Sequence, residues 1–300
     1  MVTTKTATFI GHDGPIYTLE KGFESHSFFS GGSDRIVSLW YYDKPQAPIG
    51  IVTTNSVIYS LRLLEDKLIL LIGVAGGGFH VIDLRQKKET RYIVHHANGI
   101  FDIAYLSTKN QFVTAGADGT MAVWSADDFS LLASYQLCKQ KIRGLALNED
   151  QSILAVACGD GEVRIFETET FSILKTFTAH KESANTVLFH PDGKRLFSGG
   201  KDAHLRSWNF ATGELLAEIP AHNYAIYSIC FSPDLSLLAT ASRDKNIKLW
   251  NADDLSIVQR IDKLRLDAHT HSVNKIIWPE KNMLISAGDD KKIFQWNVAE

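Results

Sequence analysis

The sequence contains few of the residues that cross-link a chain or anchor it in a membrane. Only three of its 300 residues are cysteine, at Cys138, Cys158 and Cys230, which excludes a disulfide framework and favours a reducing compartment. Their odd number, the lack of a C-x-x-C pair and their apolar neighbours predict buried thiols rather than metal or redox chemistry. No run approaches the ~18 apolar residues of a membrane helix, and residues 1–20 lack the apolar region of a signal peptide.

An excess of one charge sign is also missing. The 31 Lys and Arg residues face 34 Asp and Glu residues, a formal net charge of -3. Nucleic acid is therefore not expected as the primary partner, because phosphate affinity depends on surplus basic residues. With 45% apolar residues the chain can bury a large core, so we expect a soluble cytoplasmic protein with no membrane association.

A repeat of 42 residues runs through the whole chain. Tryptophans recur at separations of 84, 84 and 42, at Trp40, Trp124, Trp208 and Trp250. Steps of 42 also reach Ile82 and Phe166, and a last step of 46 reaches Trp296, so this column has seven members. An acid lies six residues before most of them, at Asp34, Asp118, Asp160, Asp202, Asp244 and Asp290. A period near 40–45 with such an ending is typical of four-stranded propeller blades.

Each repeat contains four short β-rich runs divided by turn residues. In the sixth repeat the runs are SICFS, LLATAS, IKLWN and SIVQRI, and PDL, RDKN and ADD separate them. No run is long enough to predict a helix. The extra residues before the seventh repeat, IDKLRLDA, predict a longer loop.

The chain resembles the WD-repeat family over essentially its whole length. The resemblance is carried by Gly11-His12, by the Ala-His pairs at 179–180, 221–222 and 268–269, by the FHPD and FSPD turns and by the terminal LW, VW, SW and QW pairs. It implies an all-β fold, a seven-bladed β-propeller of four-stranded antiparallel blades that forms one domain over residues 1–300. Residues 4–10 precede Gly11-His12 as an outer strand precedes each Ala-His pair. They are expected to complete blade 7, at about 270–298, and to close the ring.

The family pattern also implies a buried network of His, Ser or Thr, Asp and Trp in each blade. Five sets are complete: His12/Ser30/Asp34/Trp40, His96/Thr114/Asp118/Trp124, His180/Ser198/Asp202/Trp208, His222/Thr240/Asp244/Trp250 and His269/Ser286/Asp290/Trp296. The second and fourth units hold Thr54/Ile72/Gly76/Ile82 and Cys138/Val156/Asp160/Phe166. The His, hydroxyl and Trp members disappear together, as expected of a network that is penalised when half-satisfied, and Asp160 alone is kept, where the CGDGE turn can use it locally. We interpret these sets as structural and not as catalytic triads.

A second column of residues is expected to bind partners. Counted from the His column, the fourth and seventh residues of every unit are apolar, which predicts a bulge between them. The fifth residues form what we call the fifth column: Tyr17, Tyr59, Phe101, Arg143, Asn185, Tyr227 and Asn274. The resemblance implies that this column lines the channel mouth, with Lys201 and Arg243 on the same face. Two interpretations stay open: the aromatic residues bind a partner beside Arg143, or they only cap the channel.

The predicted function is a non-catalytic protein–protein interaction scaffold that binds a partner protein or peptide at the channel mouth. The propeller is expected to be monomeric, either free or as a subunit of a larger complex. No catalytic residue, metal or cofactor is predicted, because His95-His96 and His271 lack a third ligand and Gly76-Gly77-Gly78 lacks the Lys-Ser/Thr of a phosphate loop. The alternative is a small-molecule-binding or enzymatic propeller, for which Asp102 is the only acid at the fifth or sixth position.

Overall fold

The computed structural model describes residues 2–299, and strands make up most of that range. In chain order the strands of the first half are β1 (Val2–Phe9), β2 (Ile16–Lys21), β3 (Ser27–Gly32), β4 (Ile36–Tyr41), β5 (Ile49–Thr53), β6 (Ile58–Leu64), β7 (Ile69–Val74), β8 (Gly78–Asp83), β9 (Lys88–Val94), β10 (Ile100–Leu106), β11 (Gln111–Gly116), β12 (Thr120–Ser125), β13 (Leu131–Gln136) and β14 (Ile142–Leu147). Those of the second half are β15 (Ile153–Cys158), β16 (Glu162–Glu167), β17 (Ile173–Thr178), β18 (Ala184–Phe189), β19 (Arg195–Gly200), β20 (His204–Asn209), β21 (Leu215–Pro220), β22 (Ile226–Phe231), β23 (Leu237–Ser242), β24 (Ile247–Asn251), β25 (Ile257–Ile261), β26 (Val273–Glu280), β27 (Met283–Gly288) and β28 (Ile293–Ala299).

The strands form seven four-stranded sheets, which confirms the predicted blades. Six sheets use consecutive strands: β2–β5, β6–β9, β10–β13, β14–β17, β18–β21 and β22–β25. The seventh has the order β1-β28-β27-β26, and β1 pairs antiparallel with β28, from Val2 opposite Ala299 to Phe9 opposite Ile293. The prediction that the N-terminal segment completes the last blade is therefore confirmed, with the strand beginning at Val2 rather than Thr4.

The first strand of the blades contains the predicted bulge. Register shifts interrupt the pairing of this strand with the second strand, at Ile16/Thr18, Ile100/Asp102, Ile142/Gly144, Ala184/Thr186 and Val273/Lys275. The residue skipped in each case belongs to the fifth column. A bulged residue is left out of the ladder and its side chain is re-aimed, so the fifth column is set apart from the buried residues on either side of it.

Within residues 2–299 two helical turns interrupt the strands, although the sequence predicted none. One is a 3-10 turn at Ser107–Lys109, and the other is α1 (Lys263–Leu266), where a longer loop was expected. Aspartates at both ends explain α1: the Asp262 carboxylate accepts the Arg265 N–H at 2.9 Å, and Asp267 adopts a left-handed conformation with φ 50°.

Residues up to Leu63 together with those from Tyr227 form one compact unit, and residues 64–226 form a second. In the first unit, Phe9 of β1 packs edge-on against Phe28 and Trp40 of the first blade, with ring centroids 5.2 and 5.6 Å apart. In the second unit, Phe79 makes equivalent contacts with Phe112 and Trp124, at 5.4 and 5.0 Å. Aromatic contacts of this kind therefore join neighbouring blades in both units.

The glycine run at 76–78 forms the predicted tight turn. Gly77 has φ +80°, its N–H donates to the Val74 carbonyl at 3.2 Å, and a Cβ there would lie 2.0 Å from the His96 carbonyl oxygen. Glycine is required by both the conformation and the close backbone approach. Separately, no helix within residues 2–299 is long and apolar enough to cross a bilayer.

Candidate functional site

The predicted polar networks are present in the first, third, fifth and seventh blades. In the first blade the Ser30 hydroxyl lies 2.6 Å from His12 Nε2 and accepts the Trp40 indole N–H at 2.7 Å, while His12 Nδ1 lies 2.6 Å from Asp34. The same three bonds are found in the sets built on His96, His180 and His269, at distances of 2.7 to 3.3 Å. In the sixth blade the Trp250 indole donates to Thr240 Oγ1 at 2.9 Å.

In the networks built on His12, His96 and His269, one arrangement of protons satisfies every member. The hydroxyl oxygen accepts from the indole, so its own proton goes to His Nε2, and Nδ1–H then donates to the aspartate. Although burial raises the pKa of Asp34, hydrogen bonds from His12 and from two backbone N–H groups bring it below its usual value. Burial lowers the pKa of His96 and of His180. His96 and His180 are therefore neutral imidazoles, each paired with a carboxylate.

These sets contain the residues of a catalytic triad, but their geometry is structural. The hydroxyl-bearing residues Ser30, Thr114, Ser198 and Ser286 are all 0% exposed. A nucleophile must reach a substrate, and it must not be committed to an indole donor. The interpretation of these sets as internal supports is therefore consistent with their burial.

In the first unit, the fifth column places two tyrosines together. The rings of Tyr17 and Tyr59, which we call the tyrosine pair, lie 5.6 Å apart and are tilted by 52°. Burial and the negative charge of Asp289 raise the pKa of Tyr17, and Tyr59 adds to this effect. Both rings are half-buried, as is Tyr227, and Arg243 is exposed. The tyrosine pair thus presents phenol groups beside an acidic residue.

In the second unit, the same column is cationic. The guanidinium carbon of Arg143 lies 4.9 Å from the centre of the Phe101 ring, and Lys141 Nζ lies 5.9 Å from it. Burial and the positive charges of Arg143 and Lys201 lower the pKa of Lys141. Lys201 is paired with Glu182 at 2.6 Å, and both side chains are exposed. We call Phe101, Lys141, Arg143 and Lys201 the basic cluster.

The two asparagines of the fifth column contact backbone. Asn185 is 5% exposed and its amide donates to the Ile226 carbonyl at 3.0 Å. Asn274 donates to the Ile16 carbonyl at 2.8 Å and to Asp289 at 2.7 Å. Each amide reaches the fourth residue of the following blade, so these two members of the predicted site connect blades.

Asp102 and one cavity bear on the enzymatic alternative. Both Asp102 carboxylate oxygens accept backbone N–H groups, from Ile103 and Leu145, each at 2.9 Å. A cavity of about 340 Å³ in the first unit is lined by residues 244–246, Arg260, residues 262–264, His269 and Thr270. Arg260 is bonded to Asp262 and Asn246 there. The Asp102 carboxylate, which sequence analysis considered for the enzymatic alternative, therefore accepts hydrogen bonds from the backbone.

Comparison with known proteins identifies the class. The model described as WD domain, G-beta repeat matches residues 3–41, 171–209, 213–251 and 261–297, together more than half of the chain. The chain therefore belongs to the WD40 repeat family. The model described as Anaphase-promoting complex subunit 4 WD40 domain also matches residues 102–189.

Individual proteins agree with this assignment. The chain is similar to the crystal structure of the WD40 β-propeller domain of Doa1, with a TM-score of 0.86 and 17% identity, covering 100% of this chain and 98% of that one. This likeness concerns the fold, which is a seven-bladed propeller. The chain is also 29% identical over 87 residues to Telomerase protein component 1 of Rattus norvegicus, a match that spans 29% of this chain and 3% of that protein. WD40 propellers generally mediate protein–protein interaction.

Two features of the site were not expected from the sequence. Sequence analysis left open whether Phe101 binds a partner or only caps the channel, and it did not foresee that cations of this chain lie over the ring. Sequence analysis did not foresee the Lys201–Glu182 pair, because its members lie 19 residues apart and Glu182 belongs to none of the columns used for the prediction. In the fifth column the aromatic Phe101 is followed in the next blade by the cationic Arg143. This change was the available sequence signal for their contact.

Proposed function

We propose that this protein is a non-catalytic interaction platform whose basic cluster binds an acidic segment of a partner protein. The observation that carries the proposal is the convergence of Lys141 and Arg143 on the Phe101 ring, with the charge of Lys201 close enough to lower the pKa of Lys141. Like charges held close together repel one another, and a carboxylate placed among them relieves that repulsion. Arginine stacked on an aromatic ring is also oriented for a planar anion.

The tyrosine pair offers a separate contact of different chemistry. Two tilted aromatic rings beside Asp289 suit a cation or a planar group, since ring faces attract cations by about 0.5–2 kcal/mol. Tyr227 and Arg243 are proposed to contribute to partner binding, and Asn185 and Asn274 to position the strands. Nucleic acid is not proposed as the primary partner. We propose a cytoplasmic location for the platform, which its three free thiols favour.

The test measures binding of a fluorescein-labelled hexaglutamate peptide by fluorescence anisotropy. The double variant Lys141→Gln/Arg143→Gln is expected to bind at least about tenfold more weakly, a loss of about 1.4 kcal/mol. The matched control Arg85→Gln/Lys88→Gln removes the same charges from exposed positions at the β8–β9 turn and should bind like the parent. Glu182→Gln should tighten binding, because it removes the anion that competes for Lys201.

Three results would contradict the proposal. They are equal affinity of the two double variants, equal binding of a hexaglutamine peptide, and tighter binding of a single-stranded oligonucleotide than of the peptide. Melting temperatures of the variants, measured in parallel, separate lost binding from lost folding. Affinity capture from the native source with Tyr17→Ala/Tyr59→Ala then tests the tyrosine pair, since the captured proteins should diminish at unchanged melting temperature.

A further inference from the structure

The fourth blade replaces its missing network with two cysteines. In three blades that keep the histidine, a glycine ends the second strand and faces the imidazole. A Cβ would lie 2.3 Å from His96 Nδ1 at Gly116, 2.2 Å from His180 Nδ1 at Gly200 and 3.2 Å from His269 Nδ1 at Gly288. In the fourth blade the histidine column holds Cys138 and the glycine column holds Cys158. The smaller Cys138 side chain leaves space that the Cys158 side chain occupies, and this brings the two together.

The sulfur atoms are close and differ in access. The two Sγ atoms and a carboxylate oxygen of Asp160 all lie within 4.8 Å of one another, and both thiols are free. Cys158 ends β15 and is 0% exposed, whereas Cys138 is partly exposed in the segment before β14. Cys138 Sγ also lies 2.9 Å from the Gln140 carbonyl oxygen. One thiol of the pair can meet a small solute and the other is held behind it.

The surroundings make the two thiols chemically unequal. Hydrogen bonding from the Cys158 thiol lowers the pKa of Cys138 to about 7, although burial acts in the opposite direction. That same bond and burial raise the pKa of Cys158. A partly exposed thiol at Cys138, whose pKa is lowered to about 7, therefore lies beside a buried thiol at Cys158, whose pKa is raised, and this is the arrangement of an attacking and a resolving cysteine.

We propose that Cys138 and Cys158 are a reversible redox pair that closes to an intramolecular disulfide when a hydroperoxide oxidises Cys138. The Cys138 thiolate attacks the peroxide, ROOH, forming an S–O bond as the O–O bond breaks; after protonation of the leaving oxygen the products are the sulfenic acid and ROH. The Cys158 thiol then attacks that sulfur, the S–S bond forms, and water leaves. The two sulfurs lose two electrons and the peroxide gains them. A dithiol restores both thiols by exchange.

A metal site is the competing interpretation of the same three donors. It would need both sulfurs as thiolates and the Asp160 carboxylate available as a ligand. Arg164 instead donates to both Asp160 oxygens, at 2.8 and 3.3 Å, and a fixed guanidinium beside the site opposes a divalent cation. These contacts favour the redox pair.

The experiment counts the thiols of the full-length protein in denaturant, before and after a short treatment with hydrogen peroxide. Three thiols should fall to one, the chain mass should fall by about 2 Da, and a peptide pair joined through Cys138 and Cys158 should be recovered. Dithiothreitol should restore all three thiols. The remaining thiol is expected to be Cys230, because burial raises its pKa to about 12.

Three variants separate the roles. In Cys158→Ser, the sulfenic acid at Cys138 should persist and be captured by dimedone, and in Cys138→Ser no thiol should be lost. The matched control Cys230→Ser should still form the disulfide. The proposal is overturned if peroxide converts Cys138 to sulfinic acid while Cys158 stays a thiol, if the disulfide joins two chains, or if one equivalent of zinc binds and protects both thiols. Because the central measurement uses the unaltered protein, a misfolded variant does not obscure it.

Discussion

The histidine column of the networks and the fifth column lie only five residues apart in the chain, but they differ in chemistry, burial and hydrogen bonding. Members of the networks repeat the same chemistry from blade to blade, are buried and are mutually hydrogen-bonded. Members of the fifth column change from tyrosine to phenylalanine, arginine or asparagine, and most are half-buried. The network residues therefore stabilise the blades that contain them. The fifth-column residues, which vary between blades, are the ones proposed to recognise a partner.

The fifth column also differs between the two units. In the first unit, Tyr17 lies near Tyr59 and Asp289, whereas in the second unit Phe101 lies beneath Arg143 and near Lys141. The same bulge therefore presents a phenolic, acidic surface in one unit and a cationic surface in the other. Backbone geometry fixes where these side chains lie, and residue identity fixes what they attract.

The largest effect should come from removing residues 1–10, which lie outside both columns. The deletion removes β1 from the last sheet, exposes the edge of β28 and takes Phe9 away from Trp40. Loss of a buried Phe side chain alone costs about 3–5 kcal/mol. The melting temperature should fall sharply or the protein should aggregate in a thermal scan. The control Ile10→Ala alters an exposed residue beside β1, and a deletion variant that melts within a degree or two of the parent would disprove this closure.

An intermediate effect is expected from opposite changes at one network position. Ser30→Ala leaves His12 Nε2 and the Trp40 indole without their partner, at about 1–3 kcal/mol for each buried group. Val156→Thr does the reverse in the fourth blade, where it buries a hydroxyl with no His or Trp to meet it. Both should lower the midpoint of urea unfolding.

Exposed Ser25→Ala is the control for these two changes. A gain in stability from Val156→Thr would show that a hydroxyl is favourable in any blade, and would remove the distinction between complete and absent networks. Neither variant should alter hexaglutamate binding, since Ser30 and Val156 lie outside the fifth column.

The smallest effect should follow acidification. Burial lowers the pKa of His96 and His180 in the folded chain, so the unfolded chain binds protons first as the pH falls through about 6.5. Stability present at pH 7 is then lost progressively toward the lowered folded values. Asp118 and Asp202 also have lowered pKa values, despite burial, and add a further loss below about pH 3.8. The melting temperature should therefore decline from pH 7 to pH 5, and a flat profile would mean that these histidines bind protons equally well in the folded and the unfolded chain.

Most of the fold could be predicted because it repeats. The 42-residue period predicted seven blades, the resemblance to the WD-repeat family implied the network columns, and the apolar residues three apart required the bulge that the register shifts confirm. The helical turn at Lys263–Leu266 escaped prediction because two aspartate end contacts, rather than periodicity, determine it. The partner-binding role of the fifth column stays a prediction.

The meeting of Cys138 and Cys158 could not be read from spacing, because 20 residues and a hairpin separate them. A signal was nevertheless present. The single repeat with Cys in the histidine column is also the one with Cys in the column that holds Gly116 and Gly200 elsewhere. When one repeat departs from the pattern at two columns at once, as at Cys138 and Cys158, the departure indicates that the two side chains are neighbours in the fold.

The pairing of Val2 with Ala299 has a practical meaning for rearranging the gene. The two ends of the described chain lie on neighbouring strands of one sheet, so a short linker could join them without stretching the backbone. New ends could then be opened in a turn such as the one at Gly213, where φ is +78° and a Cβ would make only an ordinary contact, 3.8 Å from the Phe177 ring. In a circular permutant cut there, β1 would follow β28 directly in the chain, and β21 would become the one outer strand separated from the rest of its sheet. Its stability would show whether the last blade needs strands from both ends of the chain or only tolerates them.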